Sequence, residues 1–241
     1  MQFSTATISA ILAFTSLASA APRNSRRGGY PAELSLTAQL QLADTAVDRF
    51  ALLGDDEFVF DFNKEQENPG AGGQIIAANR KAFPALVGTG AGMAFGRVDP
   101  CGMNTLHVHP RSAELQIVTS GRLITEMVPE NGVNDADGKR RVIRTELTAN
   151  MMTPFYQGSV HTQFNPDCDP ATFIAAFAAE DFGVGQVQDE TFALSDDVIA
   201  ATFGQSIAGE DIDRVRQAIP KSIALGVDEC LQKCGIHRRA V

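Results

Sequence analysis

The stretch His107-Val108-His109-Pro110-Arg111-Ser112-Ala113-Glu114 decides how this chain is read. Residues two apart on a β-strand point to the same side, so His107 and His109 aim their imidazoles at one place. Pro110 to Ala113 make a bend, and a strand returning from it carries the Glu114 carboxylate back toward that place. The chain has 4 histidines in all. A third lies in a second cluster, Gly158-Ser159-Val160-His161-Thr162-Gln163-Phe164-Asn165. His107, His109, Glu114 and His161 together form a ligand set for one metal ion. Imidazole and carboxylate without thiolate suit manganese or iron, and less often nickel, copper or zinc. Such a set leaves coordination positions open, and a divalent ion held by it stays net positive, ready for a small anionic ligand or dioxygen. The same set also serves as a structural staple without turnover.

Working outward, the chain reads as short strands separated by Gly, Pro and Asn. Met93 to Val98, Leu115 to Val118, Leu123 to Val128, Val142 to Leu147 and Phe173 to Ala179 are strand-like, and Phe58, Phe60 and Phe62 alternate in the same way. Residues 129–140 are a polar loop. Many short strands with regular turns predict an all-β sandwich or barrel, here over residues 58–190. Before it, Leu36, Leu40, Ala43, Val47 and Phe50 recur at helical spacing, which places a helix in an N-terminal lead over 21–57. After it, Ser195 is a good N-cap for a helix stopping at Gly204. Gly209 to Ile219 is a second helix ended by Pro220, and Val227 to Lys233 a third ended by Gly235. Residues 191–241 therefore read as a C-terminal helical extension.

The N-terminus reads as a secretory signal peptide over residues 1–20. It has no charged side chain, an apolar run from Ile8 to Leu17, and the small-residue cleavage signal Ala18-Ser19-Ala20. The run is shorter than the roughly 20 residues that span a bilayer, and no later stretch qualifies as a membrane span. Arg26-Arg27 is either a processing site or part of a solvated linker. The expected location is extracellular, in a wall or matrix. The formal net charge is −9, from 20 Lys+Arg against 29 Asp+Glu. That balance disfavours nucleic acid, whose phosphates need clustered cations, and anionic membrane surfaces. A hydrophobic content of 44% allows a sizeable core.

Gly102-Met103-Asn104-Thr105-Leu106 leading into His107 to Glu114, with Gly121 beyond, resembles the first motif of the cupin superfamily, and Gly158 to Asn165 resembles its second. The His-x-His-Pro-Arg-x-x-Glu wording is closest to germins, germin-like proteins and spherulin-type proteins. The similarity runs from about Phe58 into the C-terminal helices. It implies a single jelly-roll cupin β-barrel, a site most often occupied by Mn2+, and a homo-oligomer, trimer or hexamer, clasped through the C-terminal helices.

This chain departs from the pattern at several places. Cys101 stands where motif one has its first glycine, and Asn150 and Tyr156 replace a glycine and a proline of motif two. Germins that oxidise oxalate place two asparagines over the metal. Asn104 matches one, which gives it a role in orienting the substrate; it also reads as a turn residue. Gly96 stands where the other would be. The resemblance thus implies an oxidoreductase acting on a small carboxylate such as oxalate, or on superoxide. The alternative is a non-catalytic extracellular wall, matrix or storage protein with a structural metal.

Cys101, Cys168, Cys230 and Cys234 are an even set in a chain read as secreted, so disulfides are expected. In a jelly-roll cupin the strand of His107 lies antiparallel to that of His161. The register that opposes the two histidines brings Cys101 within one residue of facing Cys168, which predicts a Cys101–Cys168 bridge with a bulge near Gly102 or Pro166. Cys230 and Cys234, four apart on a helix, sit too far from each other for a bridge unless the helix unwinds. Arg111 reads chiefly as the partner of a surface acid, and Phe155 and Phe164 chiefly as core.

Overall fold

The computed structural model describes residues 34–237 except 65, 67, 68 and 221. The expected signal peptide and Arg26-Arg27 lie outside these residues.

Eleven strands are formed by the described residues: β1 (Gly73–Ala78), β2 (Gly92–Val98), β3 (Gly102–Val108), β4 (Glu114–Ser120), β5 (Arg122–Val128), β6 (Ile143–Thr148), β7 (Met152–Phe155), β8 (Val160–Phe164), β9 (Ala171–Phe177), β10 (Gly185–Gln186) and β11 (Ile223–Leu225). One sheet runs β1-β2-β9-β4-β7; the other runs β10-β3-β8-β5-β6, with β11 added to β3. Every pairing is antiparallel. The alternating sequence predicts a two-sheet sandwich or barrel, and the jelly roll seen here is the form that the cupin resemblance implies. Burial alternates with period two along β2, β5 and β9, as it must when one face of a strand meets a core and the other does not. Ala94, Val98, Val118, Phe173 and Ala175 from the first sheet pack with Leu123 and Leu147 from the second. The same core includes Phe177 and Phe182, whose rings lie 4.7 and 5.9 Å from that of His109, so it reaches the ligands themselves.

Two departures from glycine are explained by the backbone. Cys101 has φ 56° and Asn150 has φ 69°. Both occupy the left-handed region that glycine enters most easily, and asparagine is among the residues that tolerate it.

The lead differs from the single helix its periodicity suggests. It forms two short helices, α1 (Leu36–Leu42) and α2 (Ala46–Ala51). Thr45 starts the second with a capping box: its hydroxyl accepts from the Asp48 N–H at 3.2 Å while the Asp48 carboxylate accepts from the Thr45 N–H at 3.1 Å. Leu40 is buried whereas Val47 and Phe50 are exposed, so the apolar residues do not share one face. The strand expected at Phe58 to Phe62 is also corrected. Asp55–Phe58 is a 3-10 turn, and among the described residues no ladder partner follows. Instead Phe60 packs against Phe62 and Phe83 with ring centroids 4.9 and 5.4 Å apart, and Phe62 against Phe95 at 6.5 Å. Aromatic packing over the sheet takes the place of pairing within it.

The C-terminal segment contains α3 (Val187–Phe192), α4 (Asp196–Thr202), α5 (Glu210–Ala218) and α6 (Asp228–Cys234). Ile199, Ala200 and Ile212 form their own small core with Phe192 and Ile207. The extension is not helical throughout, because β11 returns to pair with β3 in the register Ile223 to Asn104.

The expected Cys101–Cys168 bridge is not formed. Cys101 bonds Cys230 and Cys168 bonds Cys234, with Cα separations of 5.6 and 5.4 Å. The expected register holds at His107, which faces His161, but a shift between Asn104 and His107 puts Met103 opposite Phe164. That shift carries Cys168 further from a position facing Cys101. Helix α6 stays intact, and its two cysteines, four apart and so on one face, each reach a different barrel cysteine. Lys233 adds a contact to Asp167 at 3.4 Å, and Arg122 holds the same Asp167 at 2.6 and 2.8 Å.

Candidate metal centre

The four predicted ligands come together, and all are buried. His107 lies near the end of β3 and His109 just beyond it; Glu114 opens β4, and His161 follows the first residue of β8. Register supplies the convergence. His107 faces His161 across β3 and β8, while Glu114 stands between Phe155 of β7 and Phe177 of β9 in the other sheet. One ligand atom from each residue lies within 4.8 Å of every other.

Backbone carbonyls fix the rings. The Nδ1 of His107 meets the Thr105 carbonyl at 2.8 Å, that of His109 the Gly183 carbonyl at 2.6 Å, and that of His161 the Ser159 carbonyl at 2.9 Å. A carbonyl only accepts, so this network places a proton on Nδ1 of each ring and turns Nε2 inward. Phe155 stacks on His161 with centroids 4.2 Å apart and planes at 16°, and Phe177 abuts His109 at 4.7 Å.

The donor set fits a cation. His109 Nε2 lies 2.9 Å and His161 Nε2 3.2 Å from the same Glu114 oxygen. With Nδ1–H committed to carbonyls, both Nε2 atoms turn to one carboxylate oxygen, a contact that either a proton on Nε2 or, in its place, a metal cation can bridge. Burial and the neighbouring His161 hold the His107 imidazole down at about 3, so it stays uncharged. Burial works against an ionised Glu114, yet hydrogen bonds from His109 and His161 outweigh it and hold the carboxyl at about 2. Neutral imidazole and ionised carboxylate are the forms that ligate a metal.

Beside the ligands lies a cavity of about 180 Å3. Asn104 lines it from within β3, buried, with its amide nitrogen 3.3 Å from His107 Nε2; it is not a turn residue. Gln186 lines it too and was not singled out from sequence. It faces His107 across β10 and β3, and its amide oxygen is 2.6 Å from the Thr105 hydroxyl. Ile75, Ala94, Phe173 and Ala175 make the facing wall. Phe173 is the second residue missed: it stands opposite Gly96, and any β-carbon at 96 would run into its ring. The space of the absent asparagine is thus taken by a phenyl group. Arg111 does not reach the site. It binds Asp181, with Nε donating to the backbone carbonyl and a guanidinium nitrogen to the carboxylate, each at 2.8 Å. Phe164 lies away from the ligands, beneath the guanidinium of Arg144.

The Cupin family model matches residues 62–211. Spherulin-1A of Physarum polycephalum is 34% identical over 202 residues, which cover 83% of this chain and 79% of that protein. Germin-like protein 12-2 of Oryza sativa subsp. japonica is 32% identical over 167 residues, 66% of this chain and 69% of that protein. Among solved structures, a recombinant oxalate oxidase in complex with glycolate superimposes with a TM-score of 0.61 at 19% identity, over 70% of this chain and 84% of that one. A mutant of Bacillus subtilis oxalate decarboxylase gives 0.59 at 17%, over 70% of this chain and 41% of that one. Likeness at such low identity speaks for the fold alone.

Proposed function

We propose that this chain, which belongs to the cupin family and is a relative of the spherulins and germin-like proteins, binds one divalent metal ion and acts with it on a small carboxylate. The observation that carries this reading is the pair of inward-turned Nε2 atoms, on His109 and His161, meeting one Glu114 oxygen. His107, His109, Glu114 and His161 would hold the ion. Manganese is the ion assigned, with iron next, because the donors are nitrogen and oxygen with no thiolate. When bound, it would supply a positive centre for an anionic oxygen and a one-electron redox couple. Asn104 would orient the anion, and the carbonyls behind each Nδ1 would keep the imidazoles aligned. The burial of all four ligands would keep bulk water from them.

The chain is proposed to be secreted, to a wall or matrix. Two disulfides support that route, since such bonds persist in oxidising compartments, and the uncharged apolar N-terminus supports it as well. The barrel is proposed to assemble as a trimer or hexamer, and light scattering that gives a monomer would count against it.

A second reading has its own observation. With Phe173 in place of an amide at 96, the site has lost one polar contact to substrate, and the metal would then be structural in a non-catalytic protein. Metal analysis of the secreted protein, joined to peroxide assays with oxalate and short monocarboxylates and to a superoxide assay, separates the two. Bound metal with turnover supports the first reading; bound metal with no turnover on any of them supports the second.

A further inference from the structure

The chain's 4 cysteines lie together, but they are not equally accessible. Cys101 and Cys230 are 1% and 5% exposed, so their bridge is closed to a thiol in solution. Cys168 is exposed and Cys234 half-buried, so the bridge between them is open to one. The two bridges also lie against each other. Cys230 and Cys234, one turn apart on α6, bring their sulfurs within 4.0 Å. The Cys234 sulfur lies within 4.8 Å of the Cys101 sulfur as well.

A disulfide exchanges when a thiolate attacks one of its sulfurs, so access decides which bridge reacts. We propose that the two bridges form a latch that opens in a fixed order, with Cys234 as the relay between them. A small dithiol first reduces Cys168–Cys234, leaving two thiols and the oxidised dithiol. The Cys234 thiolate then attacks Cys101 Sγ. A Cys101–Cys234 bond forms and the Cys101–Cys230 bond breaks. Cys230 leaves as a thiolate and takes up the proton that Cys234 gave up, with no net oxidation or reduction. Attack on Cys230 instead would bridge residues four apart on α6, which needs the helix to unwind. A second dithiol reaches the new bridge at half-buried Cys234 and reduces it, and α6 is then untied. Without the bridges, α6 rests on a small cluster of Cys101, Cys230 and Leu231 with Leu225, Cys234 and Ile236. Next to it β11 gives only the three pairs that join it to β3. What the latch holds is therefore the strand laid along the one that bears His107.

The test is limited reduction of the unaltered protein with dithiothreitol, with thiols trapped by N-ethylmaleimide and located by peptide mass. Species with two thiols are expected to carry them on Cys168 and Cys234, or on Cys168 and Cys230. Thiols on Cys101 and Cys230 would overturn the order of opening, and thiols on Cys168 and Cys101 the site of attack. Cys168→Ser and Cys168→Ser/Cys234→Ser both lack the outer bridge and differ only in the relay thiol. The Cys101 thiol is expected to appear about tenfold or more faster in the single variant, because only there does an internal thiolate reach the buried bridge. Equal rates overturn the relay. Hydrogen exchange at Ile223 to Leu225 is expected to quicken about tenfold or more once all four thiols are free. Unchanged exchange there overturns the latch.

Discussion

Gly96 stands directly opposite Phe173 across β2 and β9, and the phenyl ring fills the space that any side chain at position 96 would need. Phe173 is among the largest fully buried residues of the core, so it cannot swing away at small cost. Gly96→Ala is expected to destabilise the fold by about 1–3 kcal/mol, the usual range for overpacking. Adding Phe173→Ala should relieve the collision, so that the two substitutions together cost less than their sum. Urea denaturation of the three variants checks this. Strictly additive losses would show that the two positions do not compete for one space.

Removing a ligand and removing its support should differ in kind. His161→Ala is expected to abolish tight metal binding. Phe155→Leu keeps every ligand but removes the ring stacked on His161. It should weaken metal affinity by about 10-fold, at the lower end of what loss of an orienting partner costs, while the metal content at saturation stays at one ion per chain. Metal content by mass spectrometry and affinity by competition with a chelator distinguish the two. Unchanged metal content in His161→Ala would refute the ligand set.

Acid should destabilise the metal-free protein in a defined window. His107 sits at about 3 against its ordinary 6.5, so between those values the unfolded chain holds a proton that the folded chain lacks. Glu114 sits at about 2 against 4.5, which gives the same sign over a lower range. Where the unfolded state binds more protons, stability rises with pH. Both contributions are complete above pH 6.5 and are lost as pH falls, His107 from 6.5 toward 3 and Glu114 from 4.5 toward 2. Urea titrations of the stripped protein should show that fall, and His107→Asn should flatten its upper part. Equal stability at pH 4 and pH 7 would contradict it.

The disulfides should map as Cys101–Cys230 and Cys168–Cys234. Peptide mass analysis of the unreduced protein checks this, and a Cys101–Cys168 peptide would contradict the fold at β3. The bridges span separations of 129 and 66 residues, so each closes a long loop of the unfolded chain. Converting Cys230 to Ser is expected to cost about 2–5 kcal/mol, read as a lowered denaturation midpoint.

Much of this was legible in the sequence because it depends on local period. The i, i+2 spacing of His107 and His109, the bend before Glu114 and the alternation along β9 all survive without knowledge of distant partners. The opposition of His107 to His161 is not local: the resemblance to cupins implied it, and the register of β3 with β8 bears it out. What was not legible depends on contacts between remote segments. Gln186 lies in a two-residue strand with no pattern of its own, and Phe173 reads as one more apolar residue of a strand until Gly96 is placed beside it. The cysteine pairing failed for the same reason. A single shift in register between Asn104 and His107 was enough to undo it, although the regular spacing of Cys230 and Cys234 on a helix already argued that neither would pair with the other. Phe58, Phe60 and Phe62 show the converse: perfect alternation in a segment that packs over a sheet instead of joining it.

The pairing of β11 with β3 has a consequence for how the protein is made. All four candidate ligands, from His107 to His161, leave the ribosome before Ser222, whose carbonyl accepts the Thr105 N–H at 3.1 Å, and before Ile223 to Leu225, which pair with the very strand that bears His107. Helix α6, which the two disulfides fasten to the barrel, emerges later still. The chain therefore finishes its ligand-bearing part first and its enclosure last, and a nascent polypeptide that stops short of Ile223 holds every candidate ligand yet has neither the strand nor the bridges that close the barrel.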